Sequence, residues 1–145
     1  MTKPITPCFW FDGNAEEAIN LYTSLFPDSK IVAISRYGEG APLPAGTVMA
    51  INFELQNRPF MAINGGPQFQ FSPAISMMAS CETQDEIDYF WDRLSSGGET
   101  QQCGWLKDRF GVSWQIVPSV LSELMSGDAA KSSRVMQALW GMVKL

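Results

Sequence analysis

The sequence predicts an α+β protein built from two tandem βαβββ modules and closed by a helical tail. Three observations predict this. Strand-like alternation and a helical apolar stripe recur in the same order in both halves. A stretch rich in Gly and Pro, from Gly65-Gly66-Pro67 to Ser72-Pro73, separates them. Sliding one half over the other sets Ile19 on Ile87, Phe26 on Leu94 and Glu17 on Asp85, a match of pattern more than of identity. The 145 residues suit a single domain, with module one over 1–66, module two over 72–118 and the tail over 119–145.

Pro4 to Phe11 reads as a buried strand whose prolines are confined to its start. Asp12-Gly13-Asn14 is a turn, and Asn14 is placed to cap the next helix. There Ile19, Tyr22, Leu25 and Phe26 recur at helical spacing, while Glu16, Glu17 and Asn20 fall on the wet side. Strands are expected over Ser29–Tyr37, Thr47–Leu55 and Arg58–Asn64, the last two joined by a tight Gln56-Asn57 turn. In the second half a strand over Ala74–Cys81 precedes a helix opened by Thr83 or Gln84, with Ile87, Phe90, Trp91 and Leu94 on one face. Strands at Glu99–Cys103, Trp105–Asp108 and Ser113–Val117 follow. In the last turn Asp108 and Arg109 either pair with each other or stay solvated. The tail offers a short helix over Val120–Met125 and a longer one over Ala129–Leu145. The apolar arc of the longer helix (Val135, Met136, Leu139, Trp140, Met142 and Val143) packs on its own domain or on a second copy.

Net charge is −5 and the ten Lys and Arg are scattered, so no basic stripe exists to replace phosphate counterions, which excludes nucleic acid as a partner. No apolar run approaches the roughly 20 residues that cross a bilayer. Met1-Thr2-Lys3-Pro4 leads directly into strand-like sequence without the apolar stretch of a signal peptide. Three cysteines, Cys8, Cys81 and Cys103, lack metal-ligand spacing and fit free thiols in a reducing cytoplasm. Histidine is absent. The commonest general base is therefore missing, and a Cys-His nucleophile pair is impossible. Charged residues make up only 17% of the chain, which leaves apolar surface for a second copy or a larger core.

Three strings carry a resemblance: Phe11-Asp-Gly-Asn-Ala-Glu-Glu-Ala18, Ser80-Cys-Glu-Thr83, and Cys103-Gly-Trp-Leu-Lys-Asp-Arg-Phe-Gly-Val-Ser-Trp-Gln-Ile-Val-Pro118. With the order of elements, they make the chain resemble the vicinal oxygen chelate superfamily, which includes glyoxalase I, extradiol dioxygenases and bleomycin-resistance proteins. Within it the chain is similar to the PhnB-like group named after demethylubiquinone methyltransferase. The resemblance implies that the two modules form a curled mixed sheet around a small-molecule cavity, in a protein that is often a homodimer. It also implies a divalent metal held by His and Glu from the first and last strands of each module.

Strand alternation then selects the side chains expected to face that cavity. Thr6, Cys8 and Trp10 are expected there from the first strand, with Phe9 and Phe11 on the helix side. Phe60, Ala62 and Asn64 are expected from the fourth strand. The second module contributes Ser76, Met78 and Ser80, then Ser113, Gln115 and Val117, with Ile75, Met77, Ala79, Trp114 and Ile116 behind. None of these stations offers an imidazole or a carboxylate. Gln115 stands where the superfamily often carries Glu, and an amide is a weak donor to a divalent cation. No metal and no cofactor are therefore expected. A Gly-rich strand-to-helix loop for S-adenosylmethionine is also missing, since Gly38-Glu-Gly40 leads to another strand and Gly65-Gly66 to no clear helix.

The expected ligand site comprises Cys8, Trp10, Phe60, Asn64, Ser76, Met78, Trp105 and Gln115. Trp10, Trp105, Phe60 and Met78 supply apolar walls, while Asn64, Gln115 and Ser76 supply oriented polar atoms. These aromatics alternatively just fill the interior. Cys8 reads either as a small buried hydrophobe or as an unassisted nucleophile. Cys103 lines the cavity mouth or packs, and Cys81 belongs to the core. The expected function is metal-free binding of a small hydrophobic or planar molecule. The alternatives are an enzyme of the same superfamily, either a lyase or isomerase with atypical ligands or a methyltransferase, and an interaction role resting on the tail.

Overall fold

Each half of the chain lays one amphipathic helix across one face of a four-stranded sheet and leaves the opposite face open. The computed structural model describes residues 3–145; Met1 and Thr2, where the leader-free start was read, lie outside the described residues. The chain divides into two compact units, Met1–Gln70 and Phe71–Leu145, so the tail belongs with the second.

In the first unit, β1 (Cys8–Phe11), α1 (Ala15–Leu25), β2 (Lys30–Arg36), β3 (Val48–Leu55) and β4 (Arg58–Asn64) form a sheet of order β1-β4-β3-β2. The pair β1·β4 is parallel and the other two pairs are antiparallel. β1 is shorter than the Pro4–Phe11 expected, because Pro4 and Pro7 have no N–H to give a ladder. The Pro7 carbonyl still accepts from Met61 N at 2.9 Å. Gln56 and Asn57 both take positive φ, 52° and 63°, the two-residue turn whose twist matches its flanking strands. Ile19, Tyr22, Leu25 and Phe26 are buried beneath α1, as their spacing required. They meet Phe11, Ile51, Phe53, Leu55 and Ala62, all buried on one face of the sheet. Complete burial of each large side chain in this layer contributes about 1.5–3 kcal/mol.

The second unit repeats the scheme with β5 (Met77–Cys81), α2 (Gln84–Ser95), β6 (Glu99–Thr100), β7 (Trp105–Lys107) and β8 (Ser113–Pro118), in the order β5-β8-β7-β6 with β5·β8 parallel. Thr83 caps α2, its hydroxyl accepting from Glu86 N at 3.2 Å, and the Glu86 carboxylate accepts from Glu82 N at 2.9 Å. Ile87, Trp91 and Leu94 are buried against Leu106, Trp114, Ile116 and Cys81. Cys81, 2% exposed, is a core residue as expected, and this burial, with Glu86's charge second, pushes its thiol up to about 11. β6 stops at Thr100 instead of continuing to Cys103, because Cys103 and Gly104 adopt positive φ of 59° and 82°.

Two tail helices follow, α3 (Leu121–Met125) and α4 (Ala129–Trp140). Asp128 caps α4 by accepting from Ala130 N. The helix ends at Trp140 rather than Leu145. Gly141 N–H turns back to the Ala138 and Leu139 carbonyls, and no regular element follows. No residue of α4 is buried, and Trp140 is 64% exposed. Among the described residues no helix is long and apolar enough to cross a membrane.

Candidate functional site

The open face of the second unit gathers four of the expected residues. Gln115 lies opposite Met78 on one side and Trp105 on the other, so the three share a row across β5, β8 and β7 on the face turned from α2. Gln115 Nε2 donates to Ser76 Oγ at 2.9 Å, which fixes the amide plane and leaves its carbonyl oxygen as an acceptor. Trp105, Gln115 and Ser76 are half-buried, and Met78 is 60% exposed. At the margin of this face Lys107 Nζ stands 3.9 Å from the Glu99 carboxylate. In β8 Trp114 and Ile116 turn toward α2 and Ser113 and Gln115 toward the other face, where Ser113 is nonetheless buried; that alternation of side-chain type is why the facing of β8 was readable.

The first unit departs from expectation. β1 pairs with β4 so that Phe9 faces Ala62 and Phe11 faces Asn64, while Cys8 and Trp10 sit beside Met61 and Ile63. Phe60, Ala62 and Asn64 therefore belong to the helix side with Phe9 and Phe11, not to the open face with Cys8 and Trp10. Phe60 stacks on Phe53 at 5.5 Å between ring centroids, with Phe9 edge-on at 6.1 Å. Asn64 is buried and does structural work. Its Oδ1 accepts from Ala15 N at 3.0 Å, and its Nδ2 donates to Val48 O at 3.1 Å. Asn14, the expected cap, makes no side-chain cap bond. Asn64 takes that role from the far end of the module. Asn64→Ala is expected to cost about 2 kcal/mol in urea unfolding, because a helix-start donor and a strand carbonyl lose their partner.

Trp10 lies on the open side, half-buried, and Cys8 is exposed, which removes the small-buried-hydrophobe reading of Cys8. Local desolvation pushes the Cys8 thiol up, away from the thiolate a nucleophile needs. The Trp10 indole N–H donates to Gly66 O at 2.9 Å, and Phe69 meets its ring edge-on at 5.0 Å. A Cβ on Gly65 would collide with the Trp10 ring. The Gly65-Gly66 stretch, read as a linker, is thus also a cradle for this indole.

Sequence reasoning missed Asp108. It is 2% exposed, so the solvated alternative does not hold. Its Oδ1 accepts from Phe110 N (2.9 Å) and Val112 N (3.0 Å), and its Oδ2 accepts from Trp114 Nε1 (2.9 Å). The available signal was an Asp beginning a Gly-containing turn that leads to a Trp six residues on. Arg109 lies over the Phe110 ring at 4.6 Å. Cys103 packs: its thiol donates to Leu139 O at 3.1 Å.

A divalent metal suits this donor set poorly. The row Met78–Gln115–Trp105 and Ser76 offer a thioether, an amide and a hydroxyl where a hard cation needs several carboxylates or imidazoles, and the carboxylate at the margin of that face, Glu99, stands by Lys107. Among the described residues no group of three or more His, Cys, Asp or Glu is placed to hold a metal ion.

Two sheets, β1-β4-β3-β2 in one unit and β5-β8-β7-β6 in the other, each carrying one helix, give the glyoxalase/bleomycin-resistance-like fold. Solved structures share this fold. A Bacillus cereus protein described as a putative 3-demethylubiquinone-9 3-methyltransferase, PhnB protein, is 41% identical with a TM-score of 0.75, over 80% of this chain and 99% of that one. A Pseudomonas aeruginosa protein is 22% identical with a TM-score of 0.66, over 81% and 98%. The fosfomycin resistance protein FosX of Listeria monocytogenes, solved with Mn(II) and sulfate, is 11% identical with a TM-score of 0.61, over 87% and 99%. None of the curated proteins matches. The chain belongs to the family described as 3-demethylubiquinone-9 3-methyltransferase, whose model matches residues 3–117.

Proposed function

We propose that this protein binds a small planar or hydrophobic molecule on the open sheet face of its second unit, without a resident metal or cofactor. The row Met78–Gln115–Trp105, with the amide held by Ser76, carries this reading. An indole and a thioether supply apolar contact, and one oriented carbonyl oxygen supplies direction. The indole of Trp10 and the side chain of Cys8 offer a similar surface in the first unit. The donor chemistry of both faces supports a metal-free site. The family description favours a second reading, methyl transfer, but no Gly-rich strand-to-helix loop accompanies it.

The same reading places the protein in the cytoplasm as a homodimer. Its free thiols support the first part, and the exposed Trp140, Met142 and Val143 support the second.

Calorimetric titration with indole, quinoline and naphthol is the test. Wild type is expected to bind at least one of them. Trp105→Ala and Gln115→Leu are each expected to weaken that binding by about tenfold, equivalent to roughly 1.4 kcal/mol. A flat response to all three probes overturns the reading. So does stoichiometric Mn, Fe, Ni or Zn in purified protein, or tight binding of S-adenosylmethionine.

A further inference from the structure

The family match ends at residue 117, so the two tail helices and the segment after them lie outside the matched residues. That last segment, residues 141–145, is not loose. Cys103 N donates to Met142 O at 2.9 Å and Gly104 N to Val143 O at 2.7 Å. Gln84 Nε2 donates to Leu145 O at 3.1 Å. Lys144 Nζ meets the Asp88 carboxylate at 2.8 Å, and the Leu145 side chain lies against Gly104. The Lys144 ammonium, with Gln84 assisting, holds the Asp88 carboxyl below its ordinary range, and Asp88 raises Lys144 in turn.

What this segment grips is informative. Cys103 and Gly104 are consecutive left-handed residues, and for a cysteine that conformation is unfavourable by itself. Both of their N–H groups are taken by the tail. Gly104 O accepts from Ile116 N at 2.8 Å, which ties the same turn to β8 beside Gln115. The next residue is Trp105, the aromatic wall of the proposed site. A single two-residue turn therefore stands between the chain end and the ligand-facing row.

We propose that residues 141–145 form a strap that positions Trp105, so that docking of the strap sets how strongly the open face of the second unit binds its ligand. The part about binding rests on the function proposed above; the positioning of Trp105 does not. With the strap docked, the Cys103–Gly104 turn keeps its left-handed form and Trp105 stays opposite Gln115. With it released, the turn loses both tail acceptors and relaxes. Asp88 and Lys144 stand on the exposed surface, so their attraction is modest and screened by salt. Strap occupancy falls as ionic strength rises.

Hydrogen exchange at the Cys103 and Gly104 amides and the Trp105 indole resonance test this in the ligand-free protein. A chain ending at Gly141 is expected to lose about tenfold of the protection at both amides and to shift the Trp105 resonance, while its melting midpoint stays close to wild type. In the full chain, Lys144→Glu is expected to move both readouts in the same direction, and adding Asp88→Lys to restore them. Naphthol affinity should fall about fivefold in the shortened chain. Unchanged amide protection, or a Trp105 resonance that does not move when protection is lost, overturns the strap. If the indole responds but wild type binds no probe, the strap stands and the binding reading falls. If wild type binds and affinity is indifferent to the strap, its control of binding is overturned.

Discussion

Asp108→Ala is expected to lower the unfolding free energy of the second unit by about 3–5 kcal/mol, the largest effect of any single substitution considered for it. The carboxylate accepts three bonds while almost wholly shielded from water. Bonds to a charged acceptor are worth more than neutral ones, and truncation leaves the Val112 amide and the Trp114 indole without a buried acceptor. The turn from β7 into β8 would lose its closure and Trp114 its anchor beneath α2. Asp108→Asn should recover only part of the loss, since its one carbonyl oxygen replaces two carboxylate oxygens and its NH₂ group faces donors. Urea unfolding followed by tryptophan fluorescence measures both. A loss under about 1 kcal/mol for the alanine variant would mean that the carboxylate is not what closes this turn.

Gly65→Ala is expected to cost about 1–3 kcal/mol and to expel Trp10 from its cradle. The backbone at Gly65 is not left-handed, so the cost is steric: the new methyl group occupies space held by the indole ring. Trp10 then loses its bond to Gly66 O and its contact with Phe69. The expected sign is a red shift in emission that is absent when Trp10→Phe is placed in the same background. An unshifted spectrum would show that the backbone yields instead of the ring.

Both helices were legible in the sequence because each buries one stripe at a spacing that no strand can mimic. Ile19, Tyr22 and Leu25 in one, and Ile87, Trp91 and Leu94 in the other, had only one side to hide. The facing of β8 was legible for the corresponding reason at period two. β4 was not, because Phe60, Met61, Ala62 and Ile63 are apolar on both parities, and Asn64, the one polar residue after Arg58 at its start, points toward the helix side. A polar side chain is ordinarily read as facing outward; this one is buried because Ala15 N and Val48 O satisfy it. Asp108 was hidden for the same reason, since two of its partners are backbone amides that carry no signature in the sequence. The candidate site was thus readable where its residues alternate cleanly, in the second unit, and only in part in the first.

The parallel pairing of β1 with β4 has a consequence for synthesis on the ribosome. Cys8–Phe11 is synthesised well before its hydrogen-bonding partner, which extends to Asn64. Closing so long a loop is slow compared with forming the local β3–β4 hairpin. Until then an oily tetrapeptide, Cys-Phe-Trp-Phe, waits with its backbone unpaired, a species prone to associate with other nascent chains. Pro4 and Pro7, which cost the native strand part of its length, guard that interval: lacking N–H groups, they interrupt the edge that a neighbouring chain would otherwise extend.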